Sequence, residues 1–244
     1  MFRRGRLQIL AASFYLKLRH SRDSSVPISA YFQSALFLIG VAVALFASAG
    51  TFAIAGFWVY LVILGAVFVA SFAMLDSDLL RERMRPGGKS LPVGLWLFTI
   101  VILLHFIVAG LDRGRLHFSD GVPPWLRVLG LAVVAAAYAV VLWAMRVNRF
   151  FSSVVRIQSD REQFVVKAGP YGFIRHPGYA AGILIVLANG IALGSWLAAG
   201  LLVITSLPFL LYRAISEDRV LLAELPGYRE YAGQVRWRLI PGIW

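Results

Sequence analysis

Residues 179–212 read YAAGILIVLANGIALGSWLAAGLLVITSLPFLLY, two apolar runs divided by Gly194-Ser195. The runs from Tyr179 to Leu193 and from Trp196 to Tyr212 are each short for a membrane span, which takes about 20 mostly apolar residues. With one glycine and one serine between them, they predict a tight helical hairpin. A chain that enters the membrane and comes straight back leaves its two flanks on one side. The polar segments before Tyr179 and after Tyr212 must therefore meet in space.

Working outward, four more apolar stretches run from Ser29 to Ser48, Ala53 to Leu75, Pro92 to Leu111 and Trp125 to Met145. The 244-residue chain is 59% hydrophobic and 15% charged, with a mean hydropathy of +0.75, outside the usual soluble range. The sequence predicts an all-α polytopic transmembrane helix bundle with about six spans, a C-terminal hairpin and both termini on the cytoplasmic side. Residues 26–145 form a four-span bundle, and residues 146–244 carry the hairpin and most of the polar chemistry.

A net charge of +12 suggests nucleic acid until the basic residues are placed. Arg81, Arg83, Arg85 and Lys89 follow the second span, Arg146 to Arg175 lie between the fourth and fifth, and Arg213 to Arg238 follow the sixth. Only Arg113, Arg115 and Arg127 fall opposite. The charge is topological, the partner is the lipid bilayer and not nucleic acid, and the basic face is cytoplasmic. That suits a bacterial inner membrane, or an endomembrane in a eukaryote. In residues 1–25, Leu7, Leu10, Ala11, Phe14 and Leu18 recur at helical spacing opposite Arg6, Lys17 and Arg22, as in an interfacial helix. No small-residue cleavage site follows. The absence of cysteine excludes disulfides, thiolate metal sites and a cysteine nucleophile.

The flank before the hairpin reads Gly169-Pro170-Tyr171-Gly172-Phe173-Ile174-Arg175-His176-Pro177-Gly178-Tyr179. Pro177 suits a first helical position, so a helix N-terminus faces the cytoplasm with unpaired N–H groups that favour a carboxylate or phosphate. Arg175 and His176 add donors, and Tyr171 and Tyr179 add ring faces for an adenine or a cationic sulfur. A basic turn resting on lipid headgroups, with tyrosines in the interfacial belt, explains the same residues. The second flank reads Glu217-Asp218-Arg219-Val220-Leu221, then Leu225-Pro226-Gly227-Tyr228 and Tyr231. Here the alternative is an Arg213–Glu217 pair at i,i+4 on a solvated turn. Arg146-Val147-Asn148-Arg149 closes the fourth span, where Asn148 and the arginines either orient an acceptor headgroup or snorkel. His105, deep in the third span, reads as a structural neutral imidazole bonded to a backbone carbonyl. Pro208 should kink the sixth span, its freed carbonyl satisfied by Thr205 or Ser206.

Taken together, Gly-Pro-Tyr with Arg-His-Pro-x-Tyr-x-x-Gly (Gly169 to Gly182), the acidic pair followed by Leu221, and Tyr228 with Tyr231 resemble the isoprenylcysteine carboxyl methyltransferase and phospholipid methyltransferase superfamily. The resemblance covers about the last hundred residues. It implies S-adenosylmethionine bound at the cytoplasmic face, with a lipophilic or small membrane-permeable methyl acceptor entering from the bilayer. Carried over, it assigns cofactor contacts to Gly169, Tyr171, His176, Pro177, Tyr179, Gly182, Glu217 and Asp218; the candidates for acting on the acceptor are Arg175 from the motif and, from the residues closing the fourth span, Asn148 and Arg149. The chain departs from the pattern at Asp218, where the family has a second glutamate, and at Leu225-Pro226-Gly227, where it has Phe-Gly. Membrane sterol reductases share a related turn, use NADPH and place a carboxylate after the glycine. Here that position is Ile183, which favours methyl transfer over reduction. A lipid-binding scaffold with a degenerate site is a third alternative. The sequence is silent on the acceptor's identity and on oligomeric state.

Overall fold

The computed structural model describes residue 26, residues 28–88 and residues 93–244. The interfacial helix expected in residues 1–25 lies outside the described residues. Among these, the protein is all-helical: α1 (Ile28–Ala49), α2 (Ala55–Met74), α3 (Ser77–Met84), α4 (Val93–Leu111), α5 (Pro124–Val147), α6 (Pro177–Ala192), α7 (Trp196–Glu224) and α8 (Tyr228–Gln234). Helices α1, α2, α5 and α7, and the segment Trp96–Leu116 that extends α4, are long and apolar enough to cross a membrane. Helix α6 is apolar but has only 16 residues. The chain is an integral multi-pass membrane protein, and side chains such as Val62, Val69, Ile100, Val128 and Ile204 point outward as a lipid-facing belt.

Helix α1 packs on α4, α4 on α7, α7 on α6, and α6 on α5, while α2 closes against α1 and α5. Lipid tails are as apolar as leucine, so close packing has to supply the attraction between helices. Small residues permit it. A Cβ on Gly190 of α6 would lie 2.1 Å from the Ala199 nitrogen of α7, and one on Gly110 of α4 would lie 2.4 Å from the Leu45 carbonyl of α1.

The hairpin forms as the sequence predicts. Gly194 takes φ +78°, the Ser195 N–H donates to the Gly190 carbonyl at 2.9 Å, and Ser195 Oγ caps α7 by accepting from Ala198 N at 3.0 Å. Ser195 Oγ also donates to Asp112, a fully buried carboxylate at the end of α4. Asp112 further accepts from the Ser119 N–H at 3.0 Å and the Ser119 hydroxyl at 2.5 Å, and Ser119 Oγ accepts from Trp196 N at 2.9 Å. One carboxylate thus pins the end of α4 to the hairpin turn. Two of the three arginines on this face have local tasks. Arg115 donates to the Ser48 carbonyl at the end of α1 (2.7 Å), and Arg113 pairs with Asp120 (2.7 Å).

His105 is fully buried, and its Nδ1 lies 3.0 Å from the Ala198 carbonyl, in line with a structural role. Helix α7 runs through Pro208 to Glu224 and stops before Pro226-Gly227, as the sequence indicates. The expected rescue at Pro208 differs, because Thr205 Oγ1 donates to the Leu201 carbonyl (2.6 Å) and not to that of Ile204.

Replacing Asp112 by Ala would strand the Ser119 N–H and two hydroxyls in a buried turn, at a cost of about 1–3 kcal/mol. We expect a lower unfolding midpoint in detergent for Asp112→Ala; an unchanged midpoint would show that packing alone holds the turn.

Candidate active site

Pro177 opens α6, where its fixed φ fits and its missing N–H is no loss. His176 occupies the N-cap position without a capping bond; its Nε2 instead lies 3.0 Å from Asp218 Oδ1. The C-terminal segment runs alongside the turn, with the Arg175 N–H donating to the Trp237 carbonyl and the His176 N–H to that of Arg238, both at 2.9 Å.

Asp218 is the hub, and it is 1% exposed. Its Oδ2 accepts from Arg175 Nη2 at 3.1 Å and Arg238 Nε at 2.8 Å, and its Oδ1 also accepts from the Tyr228 hydroxyl at 2.9 Å. The sequence reading gave Asp218 to the cofactor. The structure places it behind the wall, with both oxygens committed to a clamp that joins the Arg-His-Pro turn, α8 and the C-terminal segment to α7.

Glu217 is the next residue round the helix and points elsewhere. It lines a cavity of about 470 Å³. Its Oε2 accepts from the Tyr179 hydroxyl at 2.8 Å, and its Oε1 has no protein donor among the described residues. The i,i+4 pair with Arg213 does not form. Arg213 Nε donates to the Tyr179 hydroxyl at 3.3 Å and its Nη2 to the Ser153 carbonyl at 3.0 Å, so Tyr179 stands between the two charges.

Asn148 donates through Nδ2 to the Tyr171 hydroxyl and accepts from the Phe150 N–H, both at 3.0 Å. The Tyr231 hydroxyl donates to the Tyr171 carbonyl at 2.7 Å. Burial pushes the Tyr171 phenol above the ordinary tyrosine range, burial and then the Asp218 charge do the same to Tyr228, and burial raises Tyr231 to about 12. All three stay protonated at neutral pH; Tyr228 and Tyr231 donate, to Asp218 and to the Tyr171 carbonyl, while the Tyr171 hydroxyl accepts from Asn148.

The cavity is lined by polar residues, among them Arg175, His176, Tyr179, Glu217, Tyr228 and Tyr231, and by apolar side chains of the long helices, among them Phe98, Val141, Ile185, Phe209 and Leu210. Gly178 also lines it, and a Cβ there would come within 2.5 Å of the Phe151 ring. The glycine lets that ring lie against the first turn of α6.

Of the residues singled out from the sequence, Asn148, Tyr171, Arg175, His176, Tyr179 and Glu217 line this cavity. Arg149, Gly169, Pro177, Gly182 and Asp218 do not. Arg149 turns away to Asp78 (3.9 Å) and lies over the Phe150 ring. Gly169 sits at φ +58° against the Trp143 indole, a conformation L side chains rarely adopt. Gly182 faces Leu210 across the hairpin.

Sequence reasoning missed Arg83, Arg213 and Glu82. Glu82 is buried at 6% exposure and accepts from Arg156 Nη2, the Gly87 N–H and Ser152 Oγ, each at 3.0 Å. Burial alone would raise its pKa; these bonds outweigh burial and hold the carboxyl below its usual range. The network ties α3 to the segment after α5. Its partners lie 74 residues apart, so no spacing in the sequence signals it.

Residues 128–223 match the model of the isoprenylcysteine carboxyl methyltransferase (ICMT) family. The cobalt-zinc-cadmium resistance protein CzcN of Cupriavidus metallidurans is 28% identical over 162 residues, 65% of this chain and 63% of that protein. The chain thus spans less than two thirds of that relative's length. The solved structure of the eukaryotic intramembrane Ras methyltransferase ICMT aligns with a TM-score of 0.62 at 18% identity, covering 97% of this chain and 84% of that one. At that identity it establishes the shared fold.

The two adjacent acids should separate in experiment. Asp218→Ala leaves the buried Arg175 guanidinium without its counter-charge and should cost about 3–5 kcal/mol. Trypsin should then cut at Arg236 and Arg238. Glu217→Gln, half-buried with a single protein donor, should unfold within about 0.5 kcal/mol of the parent. Equal losses in unfolding midpoint would contradict this division.

Proposed function

We propose, from the premise that the chain is isoprenylcysteine carboxyl methyltransferase-like through residues 128–223, that it transfers a methyl group from S-adenosylmethionine to a lipophilic or small membrane-permeable acceptor. The site faces the cytoplasm by the distribution of its basic residues, in a bacterial inner membrane or a eukaryotic endomembrane. The observation that carries the proposal is one cavity lined both by the Glu217–Tyr179 pair and by apolar side chains of membrane helices.

The residues present fit such a cofactor. Glu217 Oε1, unused by the protein, is free to accept from its amino group or ribose. The first turn of α6, with Gly178 on the cavity wall, would hold a carboxylate, and the tyrosine rings would face a sulfonium. When bound, S-adenosylmethionine supplies an electrophilic methyl group. The chain's own part is to hold both reactants in line, exclude water through the apolar wall, and keep the polar end fixed through the Asp218 clamp. Tyr171, Tyr228 and Tyr231 are protonated at neutral pH, and Glu217 Oε2 already accepts from the Tyr179 hydroxyl. With Glu217 Oε1 given to the cofactor, these residues leave no free general base, and an acceptor that arrives ionised, an acid or an easily ionised thiol, fits better than an amine. Reduction by NADPH finds less support, since Ile183 stands where a carboxylate would follow the glycine and lies off the cavity.

Purified protein in detergent should gain thermal stability from S-adenosylhomocysteine and not from NADPH, by about 2.7 kcal/mol at one hundred times the dissociation constant. His176→Ala and Glu217→Ala should abolish that gain. A radiolabelled methyl transfer assay against extracted lipids, small thiols and prenylcysteine analogues would then identify the acceptor. An equal response to NADPH, or no response to S-adenosylhomocysteine, would sink the assignment.

A further inference from the structure

Three arginines stand at the end of the bundle where the hairpin turns, and two of them have tasks there. Arg115 donates to the end of α1, and Arg113 pairs with Asp120. The third, Arg127, lies in the first turn of α5. Its side chain has no hydrogen-bond or ion-pair partner among the described residues, and its Nε is buried. Its position also runs against two tendencies. Basic residues are scarce at the membrane face opposite the arginine-rich one, and the first turn of a helix disfavours a cation.

Arg127 shares the turn with Arg113. A Cβ on Gly194 would lie 2.9 Å from Arg127 Cδ and 3.2 Å from Arg113 Nε, so both side chains pack on one residue. The acids of this end are engaged elsewhere. Asp112 is fully buried and taken by Ser119 and Ser195, and Asp120 is shared by Arg113 and His117, at 2.7 and 3.2 Å. Two guanidinium groups and the N-terminus of α7, which opens at Trp196 just beyond Gly194, therefore raise the local potential against a single exposed carboxylate. The surroundings are those of a membrane interface. Trp125 and Trp196 are exposed, and Val128 and Leu129 carry the apolar belt along α5. Planar guanidinium forks match phosphate oxygens in particular.

We propose that Arg113 and Arg127 form a seat for the phosphate of an anionic phospholipid in the leaflet at the hairpin-turn end. The phosphate takes the guanidinium donors that no protein carboxylate uses, and the acyl chains run along Val128 and Leu129. A free phosphate could use the same donors, but the exposed tryptophans and the apolar belt fit a lipid. The bound lipid then holds through two arginines the same turn that Asp112 holds through two serines. It braces the hairpin at the end away from the cavity. The inference is independent of the methyl-transfer reading, because it uses no residue of the candidate active site.

The absence of cysteine gives the test a local readout. Gly121 is exposed beside Asp120, with open space where a Cβ would go, so the full chain carrying Gly121→Cys takes a single bimane label near the seat. In neutral detergent, dioctanoyl phosphatidylglycerol should shift the bimane emission with a half-saturation about tenfold below that of dioctanoyl phosphatidylcholine. Inorganic phosphate at the same concentrations should leave the emission unchanged. Arg127→Gln should raise the phosphatidylglycerol half-saturation about tenfold, whereas Arg146→Gln, which removes an exposed arginine from the far end of α5, should change it by less than about twofold. Arg127→Lys, which keeps the charge and loses the fork, should recover part of the binding, and it carries the comparison if the Gln variant does not fold. Phosphatidylcholine binding as tightly as phosphatidylglycerol, or either Arg127 variant binding like the parent, would overturn the seat. An equal loss in Arg146→Gln would overturn it too, since the attraction would then be one of overall charge. A response to inorganic phosphate matching that to phosphatidylglycerol would overturn the lipid as its occupant.

Discussion

The basic end of the molecule depends on the buried carboxylate of Asp218. Removing an isolated charge from water is costly, and the cost is met only when every lone pair finds a strong donor. Two arginines, a histidine and a tyrosine supply those donors. They come from the turn before α6, from α8 and from the C-terminal segment, none of which packs as a long helix. Without a common acceptor these short pieces would have little to hold them in register. Because the clamp fixes the Arg-His-Pro turn, the first turn of α6 and the ring of Tyr228 are set in place before any ligand arrives.

The hairpin is held at its other end by a second carboxylate. Asp112 collects both serine hydroxyls and a backbone N–H at the turn between α6 and α7. Beside the turn the helices approach at Gly190 and Ala199 with no room for a larger residue. The helix pair is thus fixed at both ends and closely packed next to its turn. On the opposite side of the cavity, α3 and the segment after α5 are joined through Glu82 with Arg156 and Ser152, and through Asp78 with Arg161.

The membrane fold was legible because apolar runs of span length have few other uses, and because Gly194-Ser195 leaves no room for anything but a turn. The meeting of the two polar flanks followed from that topology. The acidic pair was seen, but its division of labour was not: adjacent residues on a helix point about 100° apart, and only the packing of α8 and Trp237–Arg238 decides which one faces inward. The i,i+4 spacing of Arg213 and Glu217 suggested a pair, yet the hydroxyl of Tyr179, brought from another helix, takes both. Arg83 and Glu82 sat in a polar loop indistinguishable from a topological charge cluster, since their significance depends on Ser152, Ser153 and Arg156 far along the chain. Gly169 and Gly182 were picked out through the family motif, and both prove to serve backbone conformation or helix contact away from the cavity.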